Sequence, residues 1–189
     1  MKNGSITIAT GPMFSGKSLW LIKNLESLKK ENIPFIAIRY AKDNRFSNDS
    51  IASKNGETFP AENALNTEDI SKLITKHSNK DVLVIDEIQF FDSTLVTILE
   101  DAKDIGMTVL AGGLDTDFLQ RPWETTTKLM EIADEVLKFH ATCDICKNDR
   151  AIFTQRLING KPAPKNDPKM LIGNKGLYSP RCEIHYEKV

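Results

Sequence analysis

The segment Gly11-Pro12-Met13-Phe14-Ser15-Gly16-Lys17-Ser18 most narrows what this chain can fold into. Two glycines separated by four residues, then Lys and a hydroxyl residue, form the phosphate-binding P-loop pattern. The flanks agree with it. Ser5-Ile6-Thr7-Ile8-Ala9-Thr10 reads as a short strand of branched residues, and Leu19 to about Glu31 reads as a helix with Leu21, Leu25 and Leu28 on one side. Strand, glycine loop and helix N-terminus together aim backbone N–H groups and the positive helix end at an anion. Within such a loop Lys17 reaches the β- and γ-phosphates of a nucleotide, and the Ser18 hydroxyl sits on Mg²⁺.

The pattern after the loop predicts an α/β fold. Phe35–Tyr40, Asp81–Ile85, Met107–Gly112 and Glu135–Phe139 read as strands, the last of them as a core strand. Helices are expected at Thr67–Ile74, with Asn66 or Thr67 as N-cap, at Ser93–Ile105, and at Thr126–Ala133. Strand–helix–strand units of this length imply right-handed crossovers and a parallel sheet flanked by helices. Ala41 to about Ala64 is polar and without sustained periodicity, and is expected to be a long loop.

At 189 residues the chain is long enough for one such domain and a small appendage, with a boundary near His140. We expect a P-loop domain at 1–139 and a metal-binding domain at 140–189. A net charge of −1 argues against a basic nucleic-acid surface. No apolar run reaches membrane-spanning length and no secretory signal opens the chain, so neither nucleic acid nor membrane is expected as a partner and the location is expected to be cytoplasmic.

Two groups of residues carry chemistry. Asp86 and Glu87 close an apolar strand, where P-loop proteins keep their magnesium-organising acid. Asp86 fits that role. Glu87 points elsewhere and can take the proton of an attacking oxygen as a general base. The second group is Cys143-x-x-Cys146 with Cys182-x-x-His185, two closely spaced ligand pairs that suit tetrahedral zinc. Four protein ligands leave no open position, so this zinc is read as structural. It would staple the Pro-, Gly- and Lys-rich segment 161–176 between the pairs.

On the residues alone, three readings stay open: a P-loop kinase, a zinc-bearing P-loop ATPase acting on nucleic acid, and a nucleotide-binding regulator without catalysis. The low charge and the lack of a basic stripe with interleaved aromatics weigh against the second. The Asp86–Glu87 pair weighs against the third, because a pure binder has no use for a base.

Nearly the whole chain resembles the cytosolic (type II) thymidine kinases, and the carrying motifs are specific. They are the P-loop in its Gly-Pro-Met-Phe-Ser-Gly-Lys-Ser form, Lys42-Asp43-Asn44-Arg45-Phe46-Ser47, Asp86-Glu87-Ile88-Gln89-Phe90-Phe91, the loop Gly113–Trp123, and the Cys3His set. The resemblance implies a RecA-like parallel sheet with a small zinc-ribbon and lasso domain. It implies phosphoryl transfer from MgATP to the 5′-hydroxyl of thymidine in nucleotide salvage for DNA synthesis. Glu87 is then the base, and Gly11 through Ser18 with Asp86, Asp43 and Arg45 serve ATP and Mg²⁺. Met13, Gln89, Phe90, Leu114, Phe118, Trp123 and Thr154 belong to the nucleoside pocket, with Leu171, Ile172, Gly173 and Tyr178 on the lasso. A homotetramer and feedback inhibition by thymidine triphosphate are implied in the same way. This sequence departs from the family pattern at Asn174, Trp123, Asp117 and Arg181, and by one extra residue between Cys146 and Thr154.

Overall fold

The computed structural model describes residues 4–43, 47–79, 81–169, 171 and 177–189. In chain order the first elements are β1 (Ser5–Thr10), α1 (Lys17–Lys30), β2 (Phe35–Tyr40), β3 (Ser50–Ala52), β4 (Thr58–Pro60) and β5 (Glu62–Ala64). They are followed by α2 (Thr67–Lys76), β6 (Val82–Ile85), a single 3-10 turn at Ile88–Phe90, α3 (Thr94–Asp104), β7 (Thr108–Gly113), α4 (Glu124–Ile132) and β8 (Glu135–Lys138). The C-terminal part holds β9 (Phe153–Ile158), β10 (Lys161–Pro162) and β11 (Tyr178–Arg181).

Six strands form one sheet in the order β5-β2-β6-β7-β1-β8, every neighbouring pair parallel. A parallel sheet needs cover on both faces, and the central strands are apolar on both. Along β6, Leu83 and Ile85 join the core beneath α2, α3 and α4, while Val82 and Val84 pack with Leu21, Ile22 and Leu25 of α1. Ile36 and Ile38 of β2 take the first face and Ala37 the second. Asn66 caps α2, its side chain accepting from Asp69 N at 2.9 Å. Among the described residues no helix is long and apolar enough to cross a membrane.

Two expectations need correcting. β8 is an edge strand and not a core one. Among the described residues it pairs with β1 alone, and Glu135, Val136 and Lys138 are exposed. The stretch 41–64 is not one long loop: β3 and β4 form an antiparallel hairpin and β5 adds a parallel strand beside β2. The Asn55-Gly56 dipeptide at the hairpin tip is the turn signal that could have revealed it. Buried Arg39 holds this excursion to the sheet, donating to the carbonyls of Asn48 (2.9 Å) and Ser47 (3.0 Å) and to Asn63 Oδ1 (2.7 Å).

The second sheet, β10-β9-β11, is antiparallel. Its neighbouring core consists of Ala141, Cys143, Ala151 and Cys182. So few small side chains cannot hold a lobe together without a further link.

Candidate active site and metal centre

Because the large sheet is parallel, the ends of β1, β6 and β7 all open on one side, where open α/β sheets bind ligands. β1 runs into the P-loop there, β6 into Asp86 and Glu87, and β7 into Leu114. The P-loop backbone turns through positive φ at Gly11 (143°), Phe14 (66°) and Gly16 (92°). α1 begins directly after Gly16 with no side-chain cap and no acid in its first turn. Its first N–H groups and the positive helix end are therefore suited to an anion. Lys17 Nζ lies over the loop, 3.0 Å from Gly11 O, 2.7 Å from Pro12 O and 3.2 Å from Ser15 Oγ.

Gly11 is there for space as well as for φ. A Cβ at that position would lie 2.2 Å from the backbone oxygen of Phe139, whereas one at Gly16 would meet nothing within 4 Å. Gly11→Ala is expected to cost about 3 kcal/mol of stability from backbone strain and overpacking. Gly16→Ala should cost about 1 kcal/mol, from strain alone. Urea denaturation of the two variants checks the order.

Asp86 is buried at the end of β6 and accepts from Glu87 N at 2.9 Å and from the Ser18 hydroxyl. Burial, and then the adjacent Glu87 carboxylate, push the Asp86 carboxyl up to about 7, against the pull of Ser18, the Glu87 amide and Lys17. A raised carboxyl contributes stability that is complete below its unfolded value of roughly 3.9 and is lost as pH rises through the folded value. Without added Mg²⁺ or nucleotide, the stability of the wild type relative to Asp86→Asn should therefore fall between about pH 4 and pH 7 and level off above. Paired thermal melts read this directly. Asp92 and Asp134 have lowered carboxyls, through Thr94 and Lys103 respectively, and act only at the acid end.

Glu87 adopts a left-handed backbone (φ 59°), uncommon for a side chain of this kind and a form of strain met at functional sites. Its carboxylate accepts a hydrogen bond from Gln89 Nε2. Gln89 is buried, and its Oε1 accepts from Leu114 N at 3.0 Å. One amide thus joins the end of β6 to the loop after β7. Gly113 makes room for it, since a Cβ there would lie 2.5 Å from Ile88 and 2.8 Å from Gln89 Oε1.

These groups border a cavity of about 160 Å³. Met13 through Ser18 form one wall, with Asp43 and Glu87 beside them. Phe90, Leu114, Phe118, Trp123, Thr154, Leu171 and Tyr178 form an apolar and aromatic far side. Phe90 packs on Tyr40 (centroids 5.0 Å apart) and edge-on to Trp123 (6.0 Å). Thr154 of β9 accepts from Met13 N at 2.9 Å, so the small sheet is bonded to the P-loop itself. Tyr186 Oη donates to Phe118 O at 2.7 Å.

Not every expected residue lines that cavity. Gly11 and Pro12 are buried in the body of the loop, and Gln89 lies behind the wall. Asp86 opens on an adjoining crevice shared with Asp43, Glu87 and Arg39. Arg45, Ile172, Gly173 and Asn174 fall outside the described residues.

The sequence reading missed the hairpin. Ala52, Ser53, Lys54 and Asn55 also line the cavity, and Lys54 Nζ lies 4.2 Å from the ring centroid of Phe14 in the P-loop. Asp117 is buried but well partnered: its carboxylate accepts from Leu119 N, Arg121 N and Arg121 Nε at 2.7–2.9 Å. It shapes the loop after β7 and presents no bare charge to the cavity.

The ligand atoms of Cys143, Cys146, Cys182 and His185 lie within 4.8 Å of one another. Cys146 Sγ and Cys182 Sγ are 3.8 Å apart, while His185 Nδ1 is 3.8 Å from Cys143 Sγ and 3.2 Å from Cys182 Sγ. Zn–S bonds of about 2.3 Å at tetrahedral angles put sulfurs about 3.8 Å apart. The set therefore fits a metal ion such as zinc. Burial opposes ionisation of Cys143, but backbone N–H groups of Cys146, Cys182 and Ile145 outweigh it and bring the thiol down to about 6. A thiolate is the form a metal needs.

Compared with known proteins, the chain matches the family model described as thymidine kinase over residues 4–186.

Proposed function

The chain belongs to the thymidine kinase family, and from that membership we propose that it transfers the γ-phosphate of MgATP to the 5′-hydroxyl of thymidine, giving thymidine monophosphate and ADP. One observation carries the reading: an anion-binding loop and Glu87 share a cavity with an aromatic wall suited to a nucleoside, and Asp86 lies in the crevice that adjoins it.

In this mechanism the P-loop amides and Lys17 hold the β- and γ-phosphates. Ser18 and Asp86 would hold Mg²⁺, which when bound offsets the charge on the transferring group. Glu87 accepts the 5′-hydroxyl proton as that oxygen bonds to phosphorus and the bond to the ADP oxygen breaks. Gln89 keeps Glu87 aimed. Asp43 and Arg45 flank the phosphoryl path. Met13, Phe90, Leu114, Phe118, Trp123 and Thr154 enclose the nucleoside, and Leu171, Ile172, Gly173 and Tyr178 supply the backbone that reads the base.

Residues 1–139 form a P-loop domain that binds ATP and supplies much of the nucleoside pocket, and residues 140–189 form a zinc-binding lasso domain that completes the pocket. Zinc on Cys143, Cys146, Cys182 and His185 is structural, with no open position for chemistry. Family membership further supports a cytoplasmic homotetramer inhibited by thymidine triphosphate.

ADP release measured with thymidine, other nucleosides and single-stranded DNA tests the proposal. Thymidine should stimulate release strongly and DNA should not. Stimulation by DNA alone would replace this reading with that of a nucleic-acid-dependent ATPase.

A further inference from the structure

β9 carries one large group that this mechanism leaves unused. Arg156 is 1% exposed, and its guanidinium lies beneath two aromatic residues that line the cavity. Its central carbon is 5.4 Å from the Phe118 ring centroid and 5.7 Å from that of Tyr178, its partner across the β9–β11 pair. Nη1 donates to Pro168 O at 2.6 Å, and Nη2 lies 2.7 Å from Asp167 Oδ2. The Arg156 backbone carbonyl accepts from Ala163 N at 2.9 Å. The next residue along, Lys169, lies over the Trp123 ring at 4.2 Å. Three consecutive residues, Asp167 to Lys169, are therefore each held to a wall of the cavity, two of them by one arginine.

A buried charge is costly, and an apolar side chain of similar volume often stabilises a fold as well or better. What the arginine adds is geometry. Its rigid planar head meets a carboxylate and a carbonyl only when both occupy fixed places beside it, although Nε itself has no hydrogen-bond partner among the described residues. The metal ligands do not supply this constraint, because Cys143, Cys146, Cys182 and His185 all lie outside segment 161–169.

We propose that Arg156 is a positioning residue for the acceptor. Paired with Asp167, it registers segment 161–169 against Phe118 and Tyr178 and so sets how tightly the nucleoside is held. This rests on the acceptor-pocket reading above. It also separates two staples: the metal ties Cys143 and Cys146 to Cys182 and His185, and the arginine holds segment 161–169 to the cavity wall.

The test uses full-length, metal-loaded protein with Asp167→Asn, Asp167→Glu and Arg156→Lys. Asp167 is 17% exposed at its side chain, so its replacement by Asn leaves the bond to Pro168 O and should fold. The KM for thymidine should rise about tenfold or more in Asp167→Asn, the scale of losing a buried ion pair, with kcat and the KM for ATP changed less than about threefold. Asp167→Glu should restore part of the affinity, and Arg156→Lys, which keeps charge without the fork, should not. Hydrogen exchange of residues 161–169 should quicken in Asp167→Asn at unchanged metal content. That arm needs no substrate, so it tests the clamp even if thymidine is not the acceptor. Wild-type exchange in segment 161–169, or a wild-type KM for an acceptor the protein does phosphorylate, would overturn the proposal.

Discussion

Glu87→Gln is expected to lower kcat for thymidine phosphorylation by about a hundredfold or more while leaving the KM for ATP within about twofold. Gln keeps the size of the side chain and an acceptor for Gln89 Nε2, so the bridge through Gln89 to Leu114 survives. What disappears is a group able to take a proton. The P-loop amides, Lys17 and Asp86 are untouched, which is why nucleotide affinity should hold. Steady-state kinetics with both substrates decide the matter. Near wild-type turnover in Glu87→Gln would take the base assignment away, whereas a loss confined to KM would recast Glu87 as a binding group.

Loss of the metal should do comparable damage by another route. One zinc per chain is expected by elemental analysis, and Cys146→Ser or strong chelation should abolish most thymidine turnover, by about a hundredfold or more. Among the described residues the lobe's apolar cluster is four small side chains, too little to order it alone. Metal binding contributes roughly 10 kcal/mol or more in comparably small folds. Two contacts carry the damage to the cavity: Thr154 accepts from Met13 N, and Tyr186 donates to Phe118 O. Hydrogen exchange should quicken across 140–189 and stay slow in β1, β6 and β7, whose core lies elsewhere. A metal-free protein with full activity would remove the structural role.

The two expectations differ in what survives. Glu87→Gln should retain protection throughout the chain and lose a rate, whereas metal loss should dissolve one lobe and lose affinity with it.

How much of this was legible from residues alone depended on how local the cause was. The P-loop was readable because Gly11, Gly16, Lys17 and Ser18 act at fixed spacing within one turn and its flanks. Asp86 and Glu87 were readable because a strand end is a local event. The Cys3His set was readable from two short gaps, although the residues that meet lie 36 to 42 positions apart.

Where causes were tertiary, the reading failed. Val136 and Leu137 look like core, but being apolar does not say whether a second strand lies alongside, and among the described residues β8 has only β1. The hairpin at Ser50–Pro60 carries a local signal in Asn55-Gly56, and it was passed over because its polar flanks hide the alternation. Gln89 and Arg156 are polar residues whose burial depends on partners far along the chain, Leu114 in one case and Asp167 and Pro168 in the other. No spacing rule exposes them. Asp117 departs from the family pattern, and its spacing does not reveal that Arg121 and two backbone amides partner its carboxylate.

The bond from Met13 N to Thr154 Oγ1 spans 141 positions of sequence. On a ribosome adding about 5–20 residues per second, the nucleotide loop emerges roughly 7 to 28 seconds before the strand that completes it. The large parallel sheet can assemble in that interval, because its last strand ends at Lys138. During synthesis the chain thus acquires the means to grip a phosphate before it has an enclosed place for an acceptor, and competence for transfer comes last.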